Sequence, residues 1–568
     1  LVEAILADVR RDQGRRDPLS LLRWTAARYD DLVRALFDSA GVPPAALLCV
    51  VALGGYGRGE LFPCSDLDLL VLFEGDAGEL AEGLVEQIVY PLWDARVRVG
   101  HAVRGIDASL ELAGQDLTLR TALLDARLVC GDEGPFHALQ AGATREFFGP
   151  QRVAEFVAAL QQERARRHER FGHTEYLLEP NVKHGKGGLR DLNTGLWALR
   201  SRFEVSDLGE AVEHGLGTPR QARALAEARE FLCRLRLAMH LEAGRAEDNL
   251  RFELQETLAP RLCPEVELPG ITRRVAPAVA PAVERLMHAL YRHTRAVVLE
   301  TDGILERCSA GADRPAGPGR PVTPAPDEHL QRRGRRIHSA DPQRFWEAPA
   351  ELVRVFEVAL RWDLALDRAT RDAVAEAAAD RPGRQLMVDP GAAEGLLRLL
   401  CHPEREGGAT ILEQMHHLGV LGAMIPEFEP CTGRIQHDLY HVYTVDLHSL
   451  YVVALLKSWR RGERGDACPT ALDLAGRLDQ PESLMLAALL HDVGKPLGQG
   501  HADKGARLAL GVAARLGLGA EQQRRVGFLV EQHLTMAHLS QRRDLSDPEV
   551  IGSFAELVED VDRLRELY

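Results

Sequence analysis

The chain has few of the features that mark secreted, membrane-spanning or nucleic-acid-coating proteins. Its nine cysteines are scattered singly, so neither a zinc ribbon nor a disulfide framework is indicated. No apolar run approaches the roughly 20 residues that span a bilayer, and the N-terminal sequence predicts no secretory signal peptide. The net charge of −15 offers no surplus of Lys and Arg for a phosphate backbone. We therefore expect a cytoplasmic protein that acts on a protein or a small molecule, with no nucleic-acid or membrane partner.

The length of 568 residues predicts several domains, because a single hydrophobic core rarely grows that large. Hydrophobic residues make up 45% and charged residues 27%, as in a globular protein, and the richness in Ala, Leu, Arg and Glu favours helix. The chain begins at Leu1 without an initiator Met and ends at Tyr568 in a charged helical pattern, so we expect it to be part of a longer protein.

The hydrophobic pattern predicts a mostly α-helical protein with one small α/β domain. Strands are expected at 47–53, 66–73 and 97–106, with a helix at 79–93 between the last two. The predicted divisions are an α/β domain with N-terminal helices at 1–150, a helical domain at 151–307, a Pro/Gly-rich linker at 308–333, a helical connecting block at 334–433 and a further helical domain at 434–568.

Residues 53–72 read LGGYGRGELFPCSDLDLLVL and combine a glycine-rich turn with an Asp-x-Asp pair. Glycines such as Gly54 and Gly55 let backbone N–H groups approach phosphate oxygens. Asp66 and Asp68 would share one face of a strand, and a hard divalent cation, usually Mg²⁺, relieves the repulsion between two such carboxylates. A lone Asp-x-Asp is more often a solvated loop, but the combined pattern predicts a site for a nucleoside triphosphate.

A second chemical pattern lies near the end of the chain, where residues 489–495 read LLHDVGK. His491 and Asp492 follow an apolar helix, and His448 lies 43 residues upstream of His491. Imidazole and carboxylate together suit a divalent metal that activates water for attack on phosphorus. An isolated His-Asp dipeptide is common, but this context predicts hydrolysis of a phosphodiester. Lys495 is expected beside the scissile phosphate, with a helix C-terminal cation as the alternative.

These two patterns resemble known families. The first resembles the polymerase-β-like nucleotidyltransferases and, more narrowly, the bifunctional uridylyltransferase/uridylyl-removing enzymes that modify the nitrogen-signalling protein PII; the second resembles the HD phosphohydrolases. Further strings that resemble the uridylyltransferase family are VGHAVR at 99–104, YLLEPNVK at 176–183, GGLRD at 187–191, LYHVYTVD at 439–446, QRRD at 541–544 and DPEV at 547–550. The resemblance thus covers nearly the whole chain. It implies a nucleotidyltransferase domain at 1–150, an associated helical domain at 151–307 and an HD domain at 434–568.

The resemblance implies that UMP is transferred from UTP to a tyrosine of PII and is later removed by hydrolysis at the HD domain. The implied catalytic residues are Asp66, Asp68, His491, Asp492 and Lys495. The implied nucleotide-binding residues are Gly54, Gly55, Arg58, Ser65, Lys183, Arg190 and Asp191. The implied ligands of Mg²⁺ or Mn²⁺ are Asp66, Asp68, His448, His491, Asp492, His501 and His533. Surface histidine is the alternative for His501 and His533, and the roles of His437 and His441 stay open.

The resemblance leaves three points open. Related transferases place a third carboxylate on a neighbouring strand; here Asp94 or Asp107 would have to serve, or two carboxylates suffice. The resemblance implies that the fourth HD ligand lies beyond Tyr568; Asp560 and Asp562 fit a solvated helix face, and neither is assigned as a ligand. The family also ends in paired sensory domains that bind glutamine, so glutamine is expected to act through domains absent from this chain.

Other functions are compatible with parts of the pattern. An adenylyltransferase of the glutamine synthetase type contains the same Gly-Gly and Asp-x-Asp pattern, but such an enzyme would carry two transferase halves. A tRNA-type nucleotidyltransferase fused to an HD domain should have a basic surface, and this chain is acidic. A regulatory binding protein with inactive sites is disfavoured, because Asp66, Asp68, His491 and Asp492 are all present.

Overall fold

The computed structural model divides into two compact units, Leu1–Gly317 and Pro318–Tyr568, and their boundary falls within the predicted linker 308–333. The described residues are 2–13, 15–43, 46–75, 77–149, 151–171, 177–205, 207–263, 279–309, 323–324, 329–334, 336–404, 410–434, 444–463, 468–478, 480–542 and 547–568. The finer domain limits drawn from the sequence stay predictions.

The first unit is built from helices around one small sheet. Its helices are α1 Val2–Asp12, α2 Pro18–Ser39, α3 Gly54–Gly57, α4 Gly78–Asp94, α5 Ile106–Gln115, α6 Leu117–Leu124, α7 Glu133–Ala143, α8 Val153–Phe171, α9 Leu189–Phe203, α10 Leu208–Glu213, α11 Pro219–Ala243, α12 Phe252–Leu262 and α13 Val279–Ser309. A π-helical turn, Thr144–Phe148, follows α7. The predominance of helix confirms the predicted fold class.

The sheet of the first unit has four strands in the order β3-β2-β1-β4. They are β1 Leu48–Ala52, β2 Leu67–Phe73, β3 Val99–Gly105 and β4 Arg127–Gly131. β1 pairs antiparallel with β2 and with β4, while β2 pairs parallel with β3, so that Asp68 lies opposite Gly100. The first three strands match the predicted ones within a few residues. β4 was not predicted, because its five residues, RLVCG, are too short and too mixed in polarity to show a clear period.

Burial explains why the central strands are apolar. All five residues of β1 are buried, and the apolar part of β2 is buried on both faces. One face of the sheet packs against α5, α6 and α7 through a core that includes Cys49, Val51, Leu70 and Leu72. Helix α2 begins where Asp17 accepts a hydrogen bond from Ser20 N at 2.8 Å, and it packs against α4 and β4. The carboxyl-bearing start of β2 is thereby held at the rim of a rigid sheet.

Helices complete the first unit beyond the sheet. Helix α11 starts with a capping box between Thr218 and Gln221 and ends at Gly244 in the left-handed region. The long helix α13 packs against α8, α9, α11 and α12. Residues 177–188, the described part of the segment between α8 and α9, are irregular. This irregular segment carries Lys183 to the edge of the sheet.

The second unit is helical apart from short strands. Its helices are α14 Arg344–Glu347, α15 Glu351–Trp362, α16 Arg368–Ala379, α17 Arg381–Leu386, α18 Pro390–Cys401, α19 Ile411–His417, α20 Val420–Met424, α21 Val445–Arg460, α22 Pro469–Gly476, α23 Glu482–Leu490, α24 His501–Arg515, α25 Ala520–Gln532, α26 Thr535–Arg542, α27 Pro548–Val558 and α28 Val561–Leu567. Short 3₁₀ turns lie at Glu429–Cys431 and Lys495–Leu497. Within the described ranges, no helix combines the length and apolar character that a bilayer crossing requires.

A small sheet in the second unit was not predicted from the sequence. Its strands are β5 Thr323–Pro324, β6 Leu330–Arg333, β7 Arg336–Ser339 and β8 Ala365–Leu366, in that spatial order. They are two to four residues long, which is below the length at which alternation becomes visible. One continuous core runs from this sheet through the helices to α25. Helices α21, α23, α24 and α25 pack together in this core and carry the histidines of the second site.

Candidate functional sites

The glycine-rich turn and the Asp-x-Asp pair line a cleft of about 540 Å³ in the first unit. Asp66 is exposed just before β2, and Asp68 is half-buried within the strand. Burial and, after it, the charge of Asp66 raise the pKa of Asp68 to about 6. Two carboxylates that disfavour each other's ionisation are a suitable pair of ligands for a divalent cation. Ser65 lines the same cleft, as predicted.

Two glycines leave room for the Asp68 carboxylate. Gly54 has a φ of +55°, and a Cβ there would lie 3.1 Å from Asp68 Oδ2. A Cβ on Gly100 would lie only 2.7 Å from Asp68 Oδ1, so this position on β3 cannot carry a side chain without displacing the carboxylate. The neighbouring strand therefore offers no third carboxylate opposite Asp68. Asp94 and Asp107 are exposed at helix ends and do not line the cleft.

Two cations from the helical part of the first unit face this cleft. The backbone N–H groups of Lys183 and His184 donate to the Asn181 side-chain oxygen at 3.1 and 2.7 Å, which fixes the turn that presents Lys183. Lys183 Nζ lies 4.0 Å from Asp248 Oδ2. The positive end of the cleft thus comes from residues more than 100 positions after the acidic pair.

Arg190 is the second of these cations. Its guanidinium lies 4.6 Å from the centroid of the Trp197 ring, and burial lowers its pKa. No described carboxylate lies within ion-pair distance of Arg190. A largely buried guanidinium without a counter-charge is suited to bind an anion such as a phosphate.

Arg58 also lines the cleft, but its charge is balanced by protein groups. Its Nε donates to Glu60 Oε2 at 2.9 Å and its Nη1 donates to Asp125 Oδ2 at 2.5 Å. Glu60 in turn accepts from Arg229, and Asp125 accepts from Trp197 Nε1 at 3.0 Å. This network holds Arg58 next to the glycine-rich turn. Its predicted contact with the nucleotide stays a prediction.

Asp191 is placed differently from the other predicted nucleotide-binding residues. It is fully buried and does not line the cleft. Its carboxylate accepts from Arg167 Nη2 at 2.8 Å and from Gly187 N at 2.9 Å, and His168 Nε2 lies 2.9 Å from it. These groups, with Arg164, hold its pKa far below the usual range despite burial. The structure therefore gives Asp191 the role of fixing the turn before α9, not of touching a nucleotide in the cleft.

Several residues that line the cleft were missed at the level of sequence. They are Arg98, Asp125, Asn193, Trp197, Arg236 and Asp248. None belongs to a short motif, and they come from the residue before β3, the residue after α6, helices α9 and α11, and the segment after α11. Only the tertiary structure brings them beside the acidic pair, so sequence spacing contained no usable pattern for them.

The second site lies in the second unit, around Asp492. The Asp492 Oδ2 atom lies 3.0 Å from His491 Nε2, 2.8 Å from Lys495 Nζ and 3.9 Å from His448 Nε2. The ligand atoms of His448, His491 and Asp492 lie within 4.8 Å of one another, close enough to hold one metal ion. These residues come from α21 and from the end of α23.

A second group of ligands shares Asp492. The Asp492 Oδ1 atom lies 3.9 Å from His501 Nε2 and 3.7 Å from His533 Nε2, and these three residues form another possible metal site. His501 begins α24 and His533 directly follows α25. The five predicted HD ligands are thus brought together although they span 86 positions of the chain, with Asp492 positioned to bridge two ions.

Hydrogen bonds prepare the imidazoles for metal binding. His491 Nδ1 donates to Ala488 O at 2.9 Å and His533 Nδ1 donates to Val530 O at 2.7 Å, which turns each Nε2 atom towards Asp492. The Nε2 atom of His501 is buried without a hydrogen-bond partner. Burial lowers the pKa of His533 to about 4 and lowers that of His501. Neutral imidazoles beside an ionised carboxylate are the protonation states that a divalent metal requires.

Some predicted groups lie elsewhere. His437 and His441 are outside the described residues, as are parts of the strings at 176–183, 439–446 and 541–544. Asp560 caps α28 by accepting from the backbone of Asp562 and Arg563, and both aspartates are exposed. This agrees with their interpretation as a solvated helix face.

The described residues therefore contain two separate candidate sites: a cleft with paired carboxylates beside the four-stranded sheet, and a cluster of four histidines and one aspartate. Two family models match parts of the chain. The family model of the GlnD PII-uridylyltransferases matches residues 155–304, and the HD domain model matches residues 445–567. HD domains bind divalent metals, which fits the donor set around Asp492.

Curated relatives match over almost the whole chain. The "Bifunctional uridylyltransferase/uridylyl-removing enzyme" of Vibrio vulnificus is 35% identical over 97% of this chain and 61% of its own length. Proteins of the same name from Gluconobacter oxydans and Caulobacter vibrioides are 34% and 36% identical over 98% and 95% of this chain. The chain is thus similar to uridylyltransferase/uridylyl-removing enzymes over almost its whole length. It spans about three-fifths of the length of the relatives named here.

Proposed function

We propose that this chain transfers UMP from UTP to a tyrosine of the PII protein in the cleft of the first unit and removes UMP by hydrolysis at the Asp492 site. The observation that carries this proposal is the pairing of two separate phosphate-chemistry sites in one chain. One site has two carboxylates in a cleft that Lys183 and Arg190 also line, and the other has histidines around one carboxylate. The names of the relatives support the same pair of opposed reactions.

In the transfer reaction, the residues of the cleft position UTP. The triphosphate lies against the glycine-rich turn, where the first N–H groups of α3 have no acceptor inside that helix. Lys183 and Arg190 supply positive charge to the phosphates. The PII tyrosine oxygen then bonds to the α-phosphorus while the bond to pyrophosphate breaks, so catalysis depends on positioning and charge.

In the removal reaction, water attacks the phosphorus of the UMP–tyrosine ester, and UMP and free tyrosine are released. Lys495 lies 2.8 Å from Asp492 and supplies a positive charge for the phosphate. The hydrogen bonds of His491 and His533 to helix carbonyls keep their Nε2 atoms aimed at Asp492. The histidines therefore act as oriented ligands.

Asp66 and Asp68 would hold Mg²⁺ or Mn²⁺ in the cleft, and the five HD residues would hold divalent ions in the second unit. Such ions would supply positive charge to the phosphates and, at the HD site, help water to attack. The donors differ in kind: oxygen atoms alone in the cleft suit Mg²⁺, whereas mixed imidazole and carboxylate donors also suit Mn²⁺. Regulation by glutamine remains an expectation from the family resemblance.

Mass spectrometry of PII after incubation with this chain, UTP and Mg²⁺ tests the proposal. We expect a tyrosine of PII to gain the mass of UMP, and purified PII–UMP to lose it when UTP is omitted and Mn²⁺ is supplied. Parallel reactions with ATP distinguish the uridylyl from the adenylyl reaction. Preference for ATP over UTP, or failure to modify PII at all, would contradict the proposed function.

A further inference from the structure

Asn193 is a buried amide that has no hydrogen-bond partner among the described residues. It lies on α9, is 7% exposed and lines the cleft of the first unit. Its polar atoms are not among the side-chain atoms that are cut off from solvent without a partner, so the carboxamide can exchange water for a ligand in the cleft. A largely buried amide that lines a cleft without a protein partner is therefore available to hydrogen-bond a ligand.

The position of Asn193 on α9 places it next to the phosphate-binding cations. Arg190, Asn193 and Trp197 are spaced by three and four residues, so they lie on one face of the helix, and all three line the cleft. Arg190 is suited to a phosphate, as its lack of a counter-charge shows. Asn193, one helical turn further along, is placed for the next part of a bound nucleotide.

The wall around this end of the cleft suits a nucleobase. Helix α6 packs against α9, and its side chains here are small or apolar. The residues from α5 and α6 that line the cleft in this region include Leu112, Thr118, Leu119, Thr121 and Ala122. A planar base gains contact with such side chains, whereas phosphates gain little.

Asn193 also borders a second cavity behind Arg58 and Asp125. Among the polar groups that line this cavity, Asp125 accepts from Arg58 and from Trp197 Nε1. The cleft that holds the acidic pair and the cations is the side on which a nucleotide would meet the amide.

We propose that the Asn193 carboxamide binds the imide edge of uracil and is a specificity-determining residue for UTP, an inference that rests on the proposed function. Uracil presents an N3–H donor next to carbonyl acceptors. A carboxamide presents an acceptor next to N–H donors and can form two hydrogen bonds with that edge. A neutral amide is less suited to phosphate than Lys183 and Arg190, which already supply charge to that end of the cleft.

Calorimetric titration of the 568-residue chain with nucleotides in the presence of Mg²⁺ tests this inference. Without PII present, no transfer interferes with binding. The ligands are UTP, the N3-methyluridine triphosphate, which cannot offer the N3–H donor, and inorganic tripolyphosphate. The variants are Asn193→Ala and Asn193→Ser. The matched control is Ser201→Ala, which removes another buried polar group of α9 that does not line the cleft.

We expect the wild-type chain to bind UTP about tenfold more tightly than the N3-methyl analogue, since a site built to bond a donor rejects a ligand that lacks it. Both Asn193 variants should bind the two nucleotides within about twofold of each other and should bind tripolyphosphate as the wild type does. Ser201→Ala should keep the wild-type preference.

Two results would overturn the inference while leaving the proposed function intact: an unchanged preference for UTP in the Asn193 variants, or a loss of tripolyphosphate affinity equal to the loss of UTP affinity. If the wild-type chain binds UTP no better than tripolyphosphate, the proposed function itself fails, and the inference fails with it.

Discussion

Asp191 in the first unit and Asp492 in the second are both buried carboxylates with a pKa far below the usual range, yet their surroundings differ. Asp191 is enclosed by arginines, a histidine and the backbone N–H of Gly187, and every contact belongs to the protein. Asp492 lies in a cleft among four imidazoles, and within the described residues the Nε2 atom of His501 has no hydrogen-bond partner.

The comparison shows that a strongly lowered pKa does not by itself mark a functional carboxylate. Burial opposes ionisation in both cases, and nearby cations or hydrogen bonds outweigh it in both. What distinguishes Asp492 is access and unused ligand atoms. Guanidinium groups satisfy Asp191 permanently, whereas neutral imidazoles around Asp492 can still bind a metal ion.

The largest effect is expected from removing the charge of Asp492. Asp492→Asn should lower the rate of UMP removal by at least about 100-fold, because loss of outer-shell partners alone lowers activity about 10- to 100-fold. Transfer of UMP should continue. The measurement is mass spectrometry of PII–UMP and of PII with UTP, with the exposed Asp473→Asn as the control.

A substitution in the other site tests the transfer reaction. Asp68→Asn should abolish UMP transfer and leave removal unchanged. A loss of both reactions in either variant, with the fold retained by circular dichroism, would contradict the assignment of two independent sites.

The second metal group should respond less strongly than Asp492, because His501 serves only one of the two possible sites. His501→Ala should lower removal about 10- to 100-fold and reduce the bound divalent metal by one ion per chain. Metal content by mass spectrometry and the removal assay check this. The exposed His538→Ala should change neither, and an unchanged metal content in His501→Ala would show that this group holds no ion.

Asp191→Asn tests the opposite side of the comparison. It should lower the free energy of unfolding of the first unit by about 3 kcal/mol, because Arg164 and Arg167 each lose one of their two carboxylate partners. Urea denaturation measures this change. At a temperature where the variant stays folded, the KM for UTP should remain close to the wild-type value. A large rise in the KM for UTP without loss of stability would indicate that Asp191 takes part in nucleotide binding.

Glu566 extends the comparison to a buried carboxylate with weak partners. Burial raises its pKa from 4.5 to about 7, although Arg525 Nε lies 3.3 Å away. A raised pKa means that the folded state holds the proton more tightly. The stabilising contribution is therefore full below about pH 4.5 and is lost as the pH rises through about 7.

The measurement compares wild type with Glu566→Gln, which stays neutral at every pH. Their difference in free energy of unfolding should change by about 2 kcal/mol between about pH 5 and pH 7.5, with the wild type losing stability at the higher pH. A constant difference across this range would show that the Glu566 carboxyl is not perturbed in the folded protein.

Much of the fold and of the HD site could be predicted from the sequence, because both depend on local patterns. The strands β1, β2 and β3 and the helix α4 follow from apolar runs and turn residues. His491, Asp492 and Lys495 are close in sequence, and a short helix end keeps them close in space. Strand β4 and the strands of the small sheet in the second unit are too short to show a detectable alternation of apolar and polar residues.

The sequence by itself determined the chemistry: the glycine turn before Asp66 and Asp68, and the His-Asp pair of the HD motif. Only the tertiary structure decided which other residues join them. Helix packing places Asn193 and Arg190 in the cleft and encloses Asp191 among arginines, although Asp191 directly follows Arg190. The physical reason is that neighbouring positions on a helix point in directions about 100° apart, so one faces the cleft while the next faces the core.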